Sequence, residues 1–204
     1  MKVLTDFPIA YDSYDHIEPK GTMYDNTHHK TFVDRVKEIA DGNKIKFADL
    51  GCSGGGLVKD FIDGGYQAIG IEGSDYSQKN KRAEWATIPD NLFTADITKP
   101  FFITDESNGT GLCDIVTAWD VLEHIHENDL GVLIANIRNS LKTNGLFVAS
   151  VATFEDRPHH VTLKEKDWWI NLFKKYKMLE ADPNFFGLQH MVRESSFYLV
   201  LKKV

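Results

Sequence analysis

Much that would give a 204-residue chain an easy identity is missing here. Only two cysteines occur, Cys52 and Cys113. Two cannot build the disulfide framework of a small secreted domain, and both stand beside apolar runs, so they read as reduced thiols of a cytosolic protein. No apolar stretch approaches the roughly 20 residues a membrane-spanning helix needs. Asp6, Asp12 and Asp15 interrupt the start of the chain. No secretory leader is therefore expected, and a cytoplasmic protein is. A basic excess is lacking as well: 23 Lys and Arg stand against 30 Asp and Glu, a net charge of −7. That balance disfavours a nucleic-acid backbone as the main partner. Lys174, Lys175 and Lys177 form a small basic cluster that reads as a solvated helix face. Repeats, low-complexity tracts and linkers are absent too, and the length suits one domain with one sizeable core.

What is present is organised around residues 47–56, FADLGCSGGG. An apolar strand runs into a glycine-rich turn, and Leu57, Val58, Phe61 and Ile62 then repeat at helical spacing until Gly64-Gly65 stops the helix. A second apolar strand at 68–71 carries Glu72 at its C-terminal end. An acidic residue about 20 positions past the first glycine of a βαβ unit is the layout that holds an adenosine ribose.

The rest of the chain extends this unit. Residues 1–26 are rich in Tyr, Asp and Pro and show no clean period, and Pro8 counts against a central strand. They read as an N-terminal arm (1–27), either ordered on the surface or closing over a cleft as a lid, with the core at 28–204. A helix over 28–41 is capped by Thr27 or Asn26 and ended by Gly42. Ser74 or Asp75 caps a helix to about Trp85, and a third strand at 92–95 ends at Asp96. Residues 98–112 read as a loop, and 114–118 as a nearly all-apolar fourth strand with both faces covered. A helix over 129–142 ends at Asn144-Gly145 before a fifth strand at 146–151. Thr162 and Glu165 have capping-box spacing ahead of a helix whose Trp168, Trp169, Leu172, Phe173 and Tyr176 form a core-facing aromatic stripe. Strands at 178–181 and 197–201 are joined by a connection, 182–196, too short for another crossover helix, so the last strand enters antiparallel. The expected architecture is a single α/β domain: a Rossmann-like, doubly wound sheet of five parallel strands plus a C-terminal antiparallel hairpin.

Two cofactors compete for the glycine turn. Against G-x-G-x-x-G, Gly51 and Gly56 match, but Ser53 holds the middle position where a glycine lets backbone approach a pyrophosphate. Asp49, inside the end of the strand, would repel a pyrophosphate yet suits a cationic amino-acid group. Asp96 is placed to accept from an adenine amino group. The ordered set of residues 49–56, Ile71-Glu72, residues 95–97, residues 119–124 (WDVLEH) and residues 142–147 (KTNGLF) resembles the class I S-adenosylmethionine-dependent methyltransferases, particularly their small-molecule branch. That resemblance implies that Asp49, Gly51, Cys52, Ser53 and Gly54 surround the methionine portion. It places Glu72 on the ribose hydroxyls, Gly73 and Ser74 under the adenosine, Asp96 and Ile97 beside the adenine, and Trp119 and Asp120 under the methionine near the transferred methyl.

Methyl transfer from a sulfonium is an in-line displacement that needs alignment and a deprotonated acceptor. A hydroxyl acceptor needs a base of near-neutral pKa, and His124, His159 and His160 are the candidates. His28-His29 reads as surface. No metal is expected, because adjacent histidines rarely chelate one ion and the cysteines lack ligand spacing; Asp120, His159 and Asp156 are the residues to inspect for one. The expected acceptor is a small molecule or glycan precursor methylated at oxygen, with no nucleic acid and no membrane. A nicotinamide-dependent oxidoreductase and a non-catalytic cofactor-binding module remain as alternatives.

Overall fold

The computed structural model describes residues 1–105, 112–182, 184–188 and 195–204. Part of the 98–112 loop and much of the 182–196 connection lie outside them. Among the described residues the strands are β1 (Lys2–Thr5), β2 (Lys46–Leu50), β3 (Gln67–Glu72), β4 (Leu92–Thr94), β5 (Phe101–Thr104), β6 (Cys113–Trp119), β7 (Leu141–Ala152), β8 (Met178–Glu180) and β9 (Ser196–Lys203). The helices are α1 (Tyr14–Ile17), α2 (Lys20–Tyr24), α3 (Lys30–Ala40), α4 (Gly56–Asp63), α5 (Tyr76–Lys79), α6 (Leu130–Ser140) and α7 (Lys166–Lys175).

Seven strands make one sheet in the order β4-β3-β2-β6-β7-β9-β8. The first five are parallel, while β9 runs antiparallel to both β7 and β8. This is the expected doubly wound sheet with its terminal hairpin. Side chains of β2 alternate between two cores, as the two-residue strand period requires. Ala48 and Leu50 join Leu133, Ile134 and Ile137 of α6 and Trp169 and Phe173 of α7 on one face. Phe47 joins Phe32 and Val36 of α3 and Val58 and Phe61 of α4 on the other, stacking on Phe61 with ring centroids 3.6 Å apart. The aromatic stripe of α7 is core, as expected: Trp169 is fully buried and Phe173 stacks on Phe147.

Five local expectations need correction. Residues 101–104 are a strand, not loop: Phe101 and Ile103 point inward, Phe102 points out, and β5 pairs antiparallel with β1. The expected helix from Ser74 to Trp85 is only α5 followed by 3-10 turns at Ala83–Ala86 and Pro89–Asn91, because Lys81 and Ala83 both adopt positive φ. The start of α3 is capped neither by Thr27 nor by Asn26. Asp60, buried in α4, accepts the His29 backbone N–H at 2.8 Å, so the cap comes from another helix. Thr162 is no capping-box residue either, since its hydroxyl donates to the Ile125 carbonyl at 2.7 Å. Finally, β7 already starts at Leu141 and passes the Asn144 left-handed residue within the strand, where its register against β6 shifts.

Candidate active site

Strand order reverses between β2 and β6, and open α/β sheets bind ligands at the carboxyl ends of strands flanking such a point. A cleft of about 670 Å³ opens there, inside the range of about 300–1,000 Å³ usual for small-molecule sites. It is lined by Asp49, Gly51, Cys52 and Ser53 at the end of β2, Glu72 and Gly73 at the end of β3, Asp96 and Ile97 after β4, and Trp119 and Asp120 at the end of β6. His124, His159 and His160 line it too. Gly54 and Ser74 stand apart from this lining. A side chain at Gly54 would run into Asn26 and Arg82, and Ser74 uses its N–H on Glu72 and its hydroxyl on the Tyr76 N–H.

The turn needs unusual backbone. Gly51 has φ +73°, and a Cβ there would collide with the Val121 side chain, so only glycine lets the turn press against the exit of β6. Ser53 also lies in the left-handed region, φ +46°, without being glycine. Its hydroxyl donates to the Asp25 carbonyl at 3.0 Å, its carbonyl accepts from Trp85 Nε1 at 2.8 Å, and its N–H donates to Glu72 Oε2 at 2.8 Å. Three anchors hold a conformation that serine alone disfavours. Ser53 thus fastens the turn to the N-terminal arm, a use its sequence position did not suggest.

Asp49 is buried, and its carboxylate accepts from Thr117 Oγ1 at 2.6 Å. Burial pushes its pKa up to about 7; the Thr117 bond opposes that, while the charges of Asp25 and Glu72 add to it. Among the described residues no cation pairs with it. Such a carboxylate suits a ligand's cationic group. Glu72 is also buried, and burial raises its pKa against the bonds from the Ser74 and Ser53 amides. Oε1 accepts from the Ser74 N–H at 3.1 Å and from Thr22 Oγ1 at 3.4 Å. Asp96 turns one oxygen back onto the Thr98 N–H and hydroxyl at 2.9 and 2.6 Å. Asp120, at φ +51°, accepts from Ser150 Oγ at 2.7 Å. The buried indole N–H of Trp119 has no partner among the described residues.

Several cleft residues escaped the sequence reading. The arm is not merely peripheral: Tyr14, Asp15, Thr22 and Asp25 line the cleft, and the Ala10 N–H donates to the Gly73 carbonyl at 3.0 Å. His29, expected at the surface, lines the cleft with its ring 5.4 Å from Trp119, and burial is the first cause of its lowered pKa. Both oxygens of Asp15 lie 3.0 Å from His124 Nδ1. Burial works against protonation of His124, yet the Asp15 bond, with the charges of Asp15, Glu123 and Asp120, carries its pKa upward overall. Glu123 is fully buried beneath the histidines; burial raises its pKa to about 7, with His124 pulling the other way. The adjacent histidines diverge. His159 Nε2 lies 3.1 Å from the Glu18 carbonyl, whereas His160 turns toward His124, with ring centroids 4.8 Å apart. No local pattern linked the arm to these loops; their signal lies in chain separations of more than 100 residues.

A glycine turn after the central strand, an acid closing the next strand and an antiparallel strand inserted before the sheet edge define a Rossmann-like methyltransferase that uses S-adenosylmethionine. A family described as "Methyltransferase domain" matches residues 24–203, and the chain belongs to it. No curated protein matches the sequence. Among solved structures, a S-adenosylmethionine-dependent methyltransferase from Clostridium acetobutylicum superposes with a TM-score of 0.64 at 14% identity, covering 93% of this chain and 97% of that one. A TehB-like methyltransferase from Corynebacterium glutamicum gives 0.60 at 14% identity, covering 92% and 93%. Magnesium protoporphyrin IX methyltransferase from Synechocystis, solved with bound SAH, gives 0.61 at 16% identity, covering 95% and 97%. At such identities the likeness carries the fold. The protein is therefore an enzyme with S-adenosylmethionine as its cofactor, and the nicotinamide and non-catalytic alternatives fall away. No helix among the described residues is long and apolar enough to cross a membrane.

Proposed function

We propose that the protein transfers a methyl group to an oxygen of a small-molecule or saccharide acceptor. The observation that carries this reading is the group of His124, His159 and His160, with the buried Glu123 beside them, lining the same cleft as Asp49 and the glycine turn. S-adenosylmethionine supplies, when bound, a methyl on a cationic sulfur. In this reading Asp49, Gly51, Cys52 and Ser53 receive the methionine portion, and Glu72 receives the ribose. Gly73 supports the adenosine, with Gly54 and Ser74 as backing from behind the turn. Asp96 and Ile97 flank the adenine, while Trp119 and Asp120 lie beneath the methyl. The acceptor hydroxyl is deprotonated at the histidine cluster before its oxygen attacks the methyl. A cleft walled by the arm and the 153–163 loop suits a small acceptor better than a polymer. The acceptor of the Synechocystis enzyme, magnesium protoporphyrin IX, is of that size class.

The test is SAH release across a panel of phenols, catechols, sugar nucleotides, amines and thiols. Turnover with hydroxyl acceptors, yielding methyl ethers, supports the reading. Turnover confined to nitrogen, sulfur or carbon acceptors overturns the assignment to oxygen.

A further inference from the structure

At the wall of the same cleft, an imidazole nitrogen of His124, one of His160 and a carboxylate oxygen of Glu123 lie within 4.8 Å of one another. We propose that these three side chains form a binding site for a divalent first-row transition cation, which holds and acidifies the acceptor hydroxyl. The inference rests on the oxygen-methylation reading above and names the device that serves it.

The hydrogen bonds around the trio argue for this. His124 points Nδ1 at the Asp15 carboxylate, at 3.0 Å, and His160 points Nδ1 at the Phe154 carbonyl, at 2.8 Å. Each ring's Nδ1–H therefore has an acceptor, which fixes the tautomer and leaves the Nε2 lone pair available. Among the described residues no hydrogen bond engages either Nε2. Metal-binding histidines are oriented in this way, with the far nitrogen donating to a carboxylate or a carbonyl. Glu123 adds an independent observation. It is fully buried, its Oε1 accepts from the Ala152 N–H at 2.9 Å, and its Oε2 is buried with no partner among the described residues. A buried, unmatched carboxylate oxygen is costly unless a cation or donor meets it. Its position is pinned from above, because the backbone N–H groups of Val161 and Thr162 donate to the Glu123 carbonyl at 2.8 and 2.9 Å. Those bonds tie the loop that carries His160 to the turn that carries Glu123 and His124.

Two imidazoles and one carboxylate suit Zn²⁺, Co²⁺ or Mn²⁺ better than Mg²⁺, which prefers oxygen ligands. Three protein ligands leave at least one position open, the arrangement of a catalytic rather than a structural site. With the acceptor oxygen in that position, its proton leaves to solvent and its lone pair bonds to the methyl carbon. The carbon–sulfur bond breaks with its electron pair passing to sulfur, so the cation changes no oxidation state.

The full chain, stripped with a chelator, is titrated calorimetrically with Co²⁺, Zn²⁺ and Mg²⁺, and Co²⁺ binding is followed by its visible absorption. SAH titration of the same samples reports the cofactor half of the cleft. The expected result is one Co²⁺ or Zn²⁺ per chain, with Mg²⁺ much weaker. Glu123→Gln and His160→Ala are expected to weaken Co²⁺ binding at least tenfold. Asp15→Asn, on the partly exposed arm and outside the packed core, is expected to weaken it by ~10-fold through loss of ligand orientation. SAH affinity is expected to stay within twofold in all three. A chain that binds SAH but takes up no stoichiometric Co²⁺ overturns the proposal, as does Co²⁺ binding indifferent to all three substitutions. Failure to bind SAH strikes instead at the functional reading on which the proposal stands.

Discussion

Replacing Asp49 by Asn is expected to stabilise the cofactor-free protein above neutral pH and to weaken its grip on the cofactor. The group's folded pKa of about 7 stands above the ordinary carboxylate value of 3.8, with burial as the first cause and the charges of Asp25, on the arm, and Glu72, closing β3, adding to it. The folded state therefore holds this proton more tightly than the unfolded chain does. Its contribution to stability is complete below about pH 4 and is lost as pH rises through 7, with a slope approaching 1.4 kcal/mol per pH unit. Integrated over the gap, the loss is roughly 4 kcal/mol. An asparagine keeps an acceptor for Thr117 Oγ1, now 2.6 Å from the carboxylate, and carries no charge. Urea unfolding of both proteins without ligand, at pH 5, 6, 7 and 8, reads the difference directly. The stability of Asp49→Asn relative to wild type is expected to climb with pH and level off above about 7. SAH binding at pH 8 is expected to move the opposite way, a trade of function against stability. Two curves that stay parallel within about 0.5 kcal/mol would refute the reasoning, for they would mean that the carboxylate is solvated or paired with a cation.

Other substitutions test the remaining parts of the site. Glu72→Ala is expected to abolish most of the rise in melting temperature that SAH produces, a shift set by ligand concentration over Kd; an undiminished shift would remove Glu72 from the ribose. Gly51→Ala combines a positive φ with a collision against Val121, and a loss of about 2 kcal/mol or more in chemical denaturation is expected. Reduced nicotinamide cofactor, titrated by fluorescence, is expected to show no saturable binding, since Asp49 and Ser53 suit no pyrophosphate. Saturation at micromolar concentration would contradict this.

The sheet was largely legible because buried parallel strands announce themselves as short apolar runs, and because Gly51, Glu72 and Asp96 fall where strands end. The cofactor followed from Asp49 and Ser53 set against the glycine pattern. What escaped reading was whatever depends on contacts distant in sequence. The β5 strand alternates over only four residues, and its partner β1 sits in a segment without periodicity. The caps failed for a related reason: Thr27 and Thr162 have the right spacing, but Asp60 and the Ile125 carbonyl offered better-placed partners through space. At the acceptor end, the WDVLEH run pointed to His124 but gave no sign that Glu123 lies buried under it, or that Asp15 reaches it from 109 residues away. The 159–160 pair looked like a unit in sequence, and the backbone sends its two rings to different partners.

The hydrogen bond from Thr22 to Glu72 has a thermodynamic consequence once Glu72 is assigned to the ribose. A single carboxylate then serves two hydroxyl donors, one belonging to the protein's own arm and one to the incoming sugar. The arm and the cofactor become competing ligands of one acceptor, and such coupling is reciprocal. Whatever the cofactor loses by displacing Thr22, the arm loses in docking when the cofactor is present. A variant that loosens the arm's hold on Glu72 would then bind the cofactor more tightly at equilibrium.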